Sequence, residues 1–498
     1  MTECTTSGNR VRRHHLLALL ALLAAPLLGL RGAIVAANQA PVEATVGAWA
    51  PVASWPAVVA GHTHLLPNGS VLMWNRGRTA DNKHVVGAQD FWVWNRNTGA
   101  VTQGRNETTN LFCSGHAFLP DGRLLVAGGT IGGTRGAFDE PGPPDANVYN
   151  YRTNQWEVLP DMNAGRWYPT VTALAGGGML VSSGLDETGA VNRTPQIWHN
   201  GAWRNLAARV LPLYPWTFQA PRNGEVFYAG PDQRSAFLNP ATGAWRDGPA
   251  AAVASRTYGT AVMFDGQVLV VGGGTPVATA STERIDLRAS SPTWATAGAM
   301  AGPRIHHNAT LLPDGTVLVT GGQREGAFNA DLALVGVREA ERYDPRTGQW
   351  TTLAAMQRPR AYHSTAMLLP DGRVLVAGGG APARVDERSA EIFSPPYLFK
   401  GPRPKITAAP RTIGYKQTFL VETPQAADVG AVRLIRLGSV THSFNMNQRL
   451  STLPFSASAT GVTVTAPANK NVAPPGHYLL FIVTREGVPS VAKIVSVG

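Results

Sequence analysis

The sequence predicts an all-β protein, and three observations indicate this fold class. The 498 residues include 54 glycines and 37 prolines, a content typical of chains with many tight turns. Short apolar runs lie between turn signals, whereas long amphipathic helical patterns do not occur after residue 40. A glycine turn followed by an apolar strand recurs along the chain, as in "LPDGRLLVAGG" from residue 119.

The recurring unit predicts a propeller of seven blades. The turn glycines of the seven units are Gly69, Gly122, Gly177, Gly224, Gly266, Gly315 and Gly372. Their spacing of 42 to 57 residues fits four-stranded blades of the kelch kind. We therefore expect a seven-bladed kelch-type β-propeller over residues 41–400, since hairpin-rich repeats of this length favour radial closure over an open solenoid.

The repeat stops near residue 400, which predicts a second domain. Residues 401–498 alternate apolar strands with proline and glycine turns. Nearly 100 residues of this kind suit an immunoglobulin-like β-sandwich.

Residues 1–40 have the pattern of a signal peptide. Arg12 and Arg13 precede an apolar run of 15 residues, which is shorter than a membrane-spanning helix requires. Cleavage at the end of this segment would remove Cys4 and leave Cys113 as the single cysteine of the mature chain. We expect a secreted or periplasmic protein, and the paired arginines are compatible with a twin-arginine route.

The charge pattern argues against a nucleic-acid partner. The formal net charge is +11, and about +8 remains without residues 1–40. The basic residues are scattered, with no lysine/arginine run and no basic stripe interleaved with aromatic residues. We expect a monomer with no membrane span after cleavage, whose positive charge favours anionic surfaces or substrates.

A second set of equivalent positions lies nine residues before each turn glycine. Equivalent blades would bring these residues to one ring where the inner strands begin: Ala60, Cys113, Tyr168, Pro215, Thr257, His306 and His363. In four units an arginine precedes an aromatic or imidazole residue: Arg166, Arg256, Arg304 and Arg360. A cysteine, a tyrosine and two histidines in matched register indicate a reactive site, with packing between blades as the alternative for any single tyrosine.

The donor types at this ring favour Cu(II) over a structural zinc, for which one thiol without a CxxC pair offers little. A phenolate ligand needs a tyrosine deprotonated far below its ordinary pKa of about 10, which a bound cation can achieve. Tyr362 and His363 are neighbours and would face opposite sides of a regular strand. Both can bind one ion only from the loop before the strand, or where the strand twists or bulges.

Four separated motifs resemble the radical-copper oxidases, the family of galactose oxidase and glyoxal oxidase. They are "LFCSG" from residue 111, "RWYPT" from residue 166, "RAYHSTAMLLPDGRVLVAGGG" from residue 360 and "GSVTHSFNMNQR" from residue 438. The resemblance runs from about residue 45 to the end of the chain, and the motifs stand in the family's order.

The resemblance implies a site that includes the lone cysteine. Cys113 and Tyr168 would be joined by a thioether, and copper would be bound in its plane by Tyr168, His363 and His442, with Tyr362 axial. Tyr362 would act as general base and Tyr168 would carry a tyrosyl radical. The implied activity is oxidation of an aldehyde or primary alcohol by O2 with release of H2O2.

Departures from galactose oxidase affect the predicted pocket. Where that enzyme has a tryptophan stacked on the cross-linked pair, the loop "SSGLDETG" from residue 182 offers Asp186 or Glu187. The segment "VLPLYPWTFQ" from residue 210 resembles glyoxal oxidases and lacks the sugar-contacting arginine, while His306 replaces a wall aromatic. We therefore expect aldehydes or small α-hydroxy carbonyls rather than galactose, in a pocket formed by Trp216, His306 and Asp186.

Two other interpretations compete with the oxidase. One is a noncatalytic kelch propeller that binds a glycan or a protein and keeps Cys113 and the tyrosines for packing. The other is a plain metal site built from His306, His307 and His363 without a cross-link.

Overall fold

The computed structural model describes residues 41–75, 87–132, 140–326, 328–329, 331–380 and 386–498. The predicted signal peptide, residues 1–40, lies outside the described residues. In the described part of the chain, no helix combines the length and the apolar character needed to cross a membrane.

Four-stranded antiparallel units dominate the described residues up to about position 400, and seven of them follow one another along the chain. Strand β1 (Ala48–Pro51) belongs to the last unit. The first three units contain β2 (His62–Leu65), β3 (Val71–Trp74), β4 (Gln89–Trp94), β5 (Val101–Asn106); β6 (Gly115–Phe118), β7 (Leu124–Ala127), β8 (Ala146–Asn150), β9 (Gln155–Leu159); and β10 (Thr170–Ala173), β11 (Met179–Ser182), β12 (Gln196–His199), β13 (Ala202–Asn205).

The next three units contain β14 (Trp216–Gln219), β15 (Val226–Gly230), β16 (Asp232–Leu238), β17 (Trp245–Ser255); β18 (Thr260–Phe264), β19 (Gln267–Val271), β20 (Ser281–Asp286), β21 (Trp294–Ala299); and β22 (Ile305–Leu311), β23 (Val317–Gln323), β24 (Glu339–Asp344), β25 (Gln349–Ala355). The seventh unit contains β26 (Ser364–Leu368), β27 (Val374–Gly378) and β28 (Ala390–Ser394), with β1 at its outer edge. Short helices are α1 (Glu43–Val46), α2 (Leu332–Val335) and two 3₁₀ turns, Pro396–Phe399 and Ala426–Asp428.

The predicted turn lies between the first two strands of each unit. Gly122, for example, has a φ of +86°, and its amide donates a hydrogen bond to the Leu119 carbonyl at 3.0 Å. A side chain with a Cβ would be strained there, which explains the recurring glycine. The two strands that flank the turn, β6 and β7, are fully buried.

The four predicted arginines are buried and tie the loop before the first strand to the rest of the unit. Each guanidinium donates to a carbonyl at or near the end of the second strand: Ser183, Gly272, Gly321 and Gly378. Three of them also meet a buried carboxylate: Arg256 with Glu283 at 2.8 Å, Arg304 with Glu341 at 2.5 Å and Arg360 with Glu391 at 3.4 Å. These residues therefore position the loops that carry the candidate site.

Residues after 400 form ten strands. They are β29 (Thr412–Ile413), β30 (Thr418–Glu422), β31 (Val429–Arg436), β32 (Ser439–Thr441), β33 (Phe444–Asn445), β34 (Leu450–Leu453), β35 (Phe455–Ala457), β36 (Gly461–Thr465), β37 (Gly476–Thr484) and β38 (Lys493–Val497). Seven of them join the sheets of two preceding units, and β30, β35 and β36 form a separate three-stranded sheet. Strand β32 pairs with β2, and β34 pairs with β18. The segment between β32 and β33 is thereby held against the first unit.

The all-β prediction is confirmed, and the seven repeats coincide with the seven four-stranded units of the described residues. Three points stay predictions: the closure of these units around an axis, the immunoglobulin-like sandwich, and the domain boundary near residue 400. From Pro41 onward the chain forms one compact unit.

Candidate metal centre

In six of the seven units a left-handed residue lies just before the first strand or at its start. Cys113, Tyr168 and His363 have φ values of +65°, +65° and +63°. The amide of Tyr168 donates to the Cys113 carbonyl at 2.9 Å, and the amide of Tyr214 donates to the Tyr168 carbonyl at 2.8 Å. Backbone hydrogen bonds therefore link the corresponding positions of consecutive units.

The predicted ring is wrong by one residue in two units. The left-handed residues there are Tyr214 and Tyr258, with φ values of +49° and +63°, rather than Pro215 and Thr257. The turn between the first two strands has six residues in the unit of Tyr214 and two in that of Tyr258, against five in the other units, so a fixed offset from the turn glycine misses the equivalent position.

Five of the predicted site residues come together. The hydroxyls of Tyr168 and Tyr362 are in a very short contact. The ring of His442 lies 4.6 Å from that of Tyr168 and 4.5 Å from that of His363, measured between centroids. Cys113 Sγ lies 3.8 Å from His442 Nε2. Ligand atoms of Cys113, His363 and His442 all fall within 4.8 Å of one another.

Tyr362 and His363 share one side of the chain because they precede β26 rather than belong to it. Their ring centroids are 3.8 Å apart. The left-handed backbone of His363 breaks the alternation that a regular strand would impose. The geometric condition stated for a shared ion is met.

Hydrogen bonds fix the orientation of both imidazoles. His363 Nδ1 donates to the Gly380 carbonyl at 3.2 Å. The Thr441 hydroxyl donates to the Gly61 carbonyl at 2.8 Å and accepts from His442 Nδ1 at 2.6 Å. Nε2 is therefore the candidate ligand atom of each ring, and outer partners of this kind are typical of metal-binding histidines.

The electrostatic environment suits a cation. Burial, with His363 and His62 nearby, lowers the pKa of His442 well below its ordinary value, so this imidazole is neutral and able to bind a metal. Burial, with Cys113 and Tyr362 nearby, raises the pKa of Tyr168 well above its ordinary value. A phenolate at Tyr168 thus requires a bound cation. Two imidazoles and two phenols are a donor set that fits copper(II).

A cavity of about 310 Å³ opens onto these residues. Most of its wall is formed by aromatic and imidazole side chains: Trp167, Tyr214, Trp216, Tyr258, His306 and Phe328, together with Tyr168, Tyr362 and His442. No charged side chain is among its described lining residues. The structure thus places the predicted pocket residues Trp216 and His306 at the candidate centre.

Asp186 does not line the cavity, and its prediction as a pocket residue is wrong. Its carboxylate accepts hydrogen bonds within its own turn, from the Thr188 amide at 2.8 Å, the Thr188 hydroxyl at 2.6 Å and the Ala190 amide at 3.0 Å. Glu187 accepts from the Gly165 amide at 2.9 Å. Both acids stabilise the loop instead of covering Tyr168.

Sequence reasoning missed the two aromatic residues that cover Tyr168. The indole of Trp167 stacks on its phenol with centroids 3.5 Å apart, and Tyr214 stacks at 4.5 Å. Trp167 was visible in "RWYPT", but adjacent residues normally point to opposite sides, and only the left-handed backbone at Tyr168 changes this.

The alternative metal site built from three histidines does not form. His307 Nε2 bonds the Val271 carbonyl at 3.1 Å, away from the cavity wall. His306 faces the cavity, 5.0 Å from the ring of Tyr362. In the part of the chain that the structure describes, the group of histidines, cysteines and acids able to hold an ion contains neither of them.

Comparisons with known proteins give a consistent result. Two family models match: glyoxal oxidase N-terminus over residues 274–397 and galactose oxidase-like, early set domain over residues 403–497. Galactose oxidase of Gibberella zeae is 27% identical over 497 residues, covering 91% of this chain and 71% of that protein. Aldehyde oxidase GLOX of Vitis pseudoreticulata is 30% identical over 444 residues, covering 77% and 81%.

A solved structure of a fungal alcohol oxidase in complex with copper has a similar fold. It superposes with a TM-score of 0.79 at 24% identity, covering 91% of this chain and 99% of that chain.

Proposed function

Because this chain belongs to the radical-copper oxidase family of galactose oxidase and glyoxal oxidase, we propose that it oxidises a small aldehyde or primary alcohol with O2. Hydrogen peroxide is the second product, since O2 takes up the two electrons and two protons that the substrate loses. The observation that carries this proposal is the meeting of Tyr168, Tyr362, His363 and His442 beside Cys113 on one cavity wall.

The residues present fit the implied cofactor. Tyr168, Tyr362, His363 and His442 would hold copper, and a thioether would join Cys113 to Tyr168. When bound, copper supplies one one-electron acceptor, and the cross-linked tyrosyl radical supplies the other.

The side chains of the cavity have separable roles in this reaction. Tyr362 takes the proton of the substrate hydroxyl as general base. Tyr168, whose hydroxyl lies beside that of Tyr362, would supply the radical oxygen that accepts a hydrogen atom from the substrate carbon. Trp167 and Tyr214 cover the two faces of the Tyr168 ring and exclude water from it.

The cavity supports a preference for small substrates that carry fewer hydroxyl groups than a sugar. A sugar needs several polar partners for its hydroxyls, whereas most of the described lining residues are aromatic or aliphatic and none is charged. Trp216 and His306 line this cavity, and a small aldehyde or its hydrate would fit against them. This favours a glyoxal oxidase-like preference over a galactose oxidase-like one.

We extend the proposal to the architecture and the location. The seven four-stranded units would close into a seven-bladed kelch-type propeller, supported by the pairing of β1 with β28, which joins the N-terminal strand to the last unit. Residues 401–498 would form an immunoglobulin-like sandwich that donates His442. A signal peptide over residues 1–40 would export the protein, which acts as a monomer.

A peroxide-release screen tests the activity. Copper-loaded, aerated protein is expected to release H2O2 with small aldehydes or primary alcohols and far more slowly with galactose, and the Cys113→Ser variant is expected to release none. Absence of peroxide with every aldehyde, alcohol and sugar would favour the noncatalytic propeller.

A further inference from the structure

Behind Cys113 lies a chain of buried polar side chains that the proposed reaction does not use. The amide of Cys113 donates to His62 Nε2 at 3.1 Å. His62 Nδ1 lies 3.0 Å from His116 Nε2, and His116 Nδ1 lies 2.7 Å from the Ser439 hydroxyl. His62, His116 and Ser439 are fully buried.

The hydrogen bonds that link these side chains all run from donor to acceptor in one direction, from Cys113 towards Ser439. A backbone amide can only donate, so His62 Nε2 accepts and the ring proton of His62 sits on Nδ1. His62 therefore donates to His116 Nε2, and His116 donates from Nδ1 to Ser439. Burial lowers the pKa of His116 to about 3 and that of His62 well below its ordinary value, in keeping with neutral rings.

The linked side chains of His62, His116 and Ser439 do not form a second metal site. The ring nitrogens of His62 and His116 are engaged with each other, with the Cys113 amide and with Ser439. The ion-binding group found among the described residues contains neither histidine. A structural role toward Cys113 remains.

Cys113 needs support because its backbone is left-handed, with a φ of +65°, a conformation that costs a non-glycine residue free energy. Its carbonyl is held by the amide of Tyr168 at 2.9 Å, and its amide is held by His62. The two bonds fix the residue from both sides, and Sγ then lies beside His442 at the candidate centre.

We propose that His62 is a positioning residue for formation of the Cys113–Tyr168 thioether. This inference rests on the proposed function. In the step itself, the S–H bond of Cys113 and one ring C–H bond of Tyr168 break, a C–S bond forms, and O2 takes the two hydrogens as H2O2. His62 holds the left-handed Cys113 so that its sulfur faces the Tyr168 ring while copper and O2 act.

The test measures how fast the intact mass of the protein falls by two hydrogen atoms after copper is added in air. His62→Phe removes the acceptor but keeps a planar ring against Trp74, which lies 5.1 Å from the His62 ring. His62→Gln keeps an acceptor for the Cys113 amide. His64→Phe is the matched control, because His64 stacks on the same Trp74 at 4.4 Å and bonds Ser439 but not Cys113.

We expect H62F to bind copper and to lose the two hydrogens at least about tenfold more slowly, since a buried amide is left without its acceptor. H62Q should restore most of the rate, and H64F should match the unmodified chain. If H62F does not fold, His62→Asn, whose side chain is too short to reach the amide, should show the same delay.

Two results overturn the inference while leaving the proposed function intact: an unchanged rate in a folded H62F or His62→Asn protein, or an equal delay in H64F. If the protein without substitutions never loses two hydrogens, both the proposed cofactor and the role of His62 are contradicted.

Discussion

The indole of Trp167 lies face to face on the phenol of Tyr168, with ring centroids 3.5 Å apart and planes inclined by 10°. Tyr214 covers the same phenol at 4.5 Å and donates from its hydroxyl to the Ser114 carbonyl at 3.1 Å. The residue proposed to carry the radical is thus enclosed between two aromatic rings, one supplied by its neighbour in the chain and one by the following unit.

Removal of the indole should shorten the lifetime of the oxidised state. In Trp167→Leu we expect the visible absorption of oxidised, copper-loaded protein to decay about threefold to tenfold faster, because a stacked ring contributes about 0.5–1.5 kcal/mol and also shields Tyr168 from water. Trp216→Leu is the control, since Trp216 lines the same cavity. Equal lifetimes in Trp167→Leu and the unmodified protein would contradict a protective role.

Copper affinity should distinguish the proposed centre, which includes His442, from the alternative site, which includes His307. His442→Ala should raise the copper Kd more than about 100-fold, because even an outer partner of a metal ligand accounts for about 10–100-fold. His307→Ala should leave it unchanged, since His307 bonds the Val271 carbonyl instead. Copper titration by competition with a chelator measures both, and the reverse order of effects would favour the plain three-histidine site.

Loss of the Tyr362 hydroxyl should act on turnover. Tyr362→Phe should lower kcat by about 10²–10⁴-fold, the range for a general base, while the change in intact mass that reports the thioether persists. Steady-state peroxide release at saturating substrate gives kcat. A Tyr362→Phe enzyme within a factor of two of the unmodified chain would assign the base to another group.

The buried ion pairs should matter for stability rather than for chemistry. Glu341 lies 2.5 Å from Arg304 and accepts from the Ala301 amide at 2.7 Å, with both charged side chains buried. Glu341→Gln should lower the free energy of unfolding by about 3–5 kcal/mol, because Arg304 is left as an uncompensated buried charge.

The exposed pair of Glu157 and Arg123, at 3.0 Å, supplies the comparison for this variant. Glu157→Gln should cost less than about 1 kcal/mol. Chemical denaturation of both variants checks the difference, and equal losses would mean that burial does not govern the cost.

The repeat and the motifs allowed most of the fold and much of the candidate site to be predicted from the sequence. Turn glycines such as Gly122 have a conformation that few other residues adopt, so their spacing marks each unit. Motif resemblance found His442, which no periodicity could connect to His363, because His442 lies after the repeats end and follows a strand, β32, that pairs with β2 of the first unit.

The remaining site residues depend on backbone conformations that cannot be recognised from the residue types in the sequence. Trp167 stacks on its own neighbour because Tyr168 is left-handed, and Tyr214 replaces Pro215 in the ring because the turn between β14 and β15 is one residue longer than in most units. His62 and His116 lie in the buried strands β2 and β6, where a core histidine with satisfied hydrogen bonds is the common expectation. Only their hydrogen bonds to each other and to Cys113 reveal a link to the site.

The most direct test is the intact mass of the protein before and after exposure to copper and air, with Cys113→Ser beside it. We predict that the unmodified chain loses the mass of two hydrogen atoms, that a peptide linking residues 113 and 168 appears on digestion, and that Cys113→Ser shows neither change. A Cys113 thiol that remains fully alkylatable in copper-loaded, aerated protein would contradict the proposed cofactor.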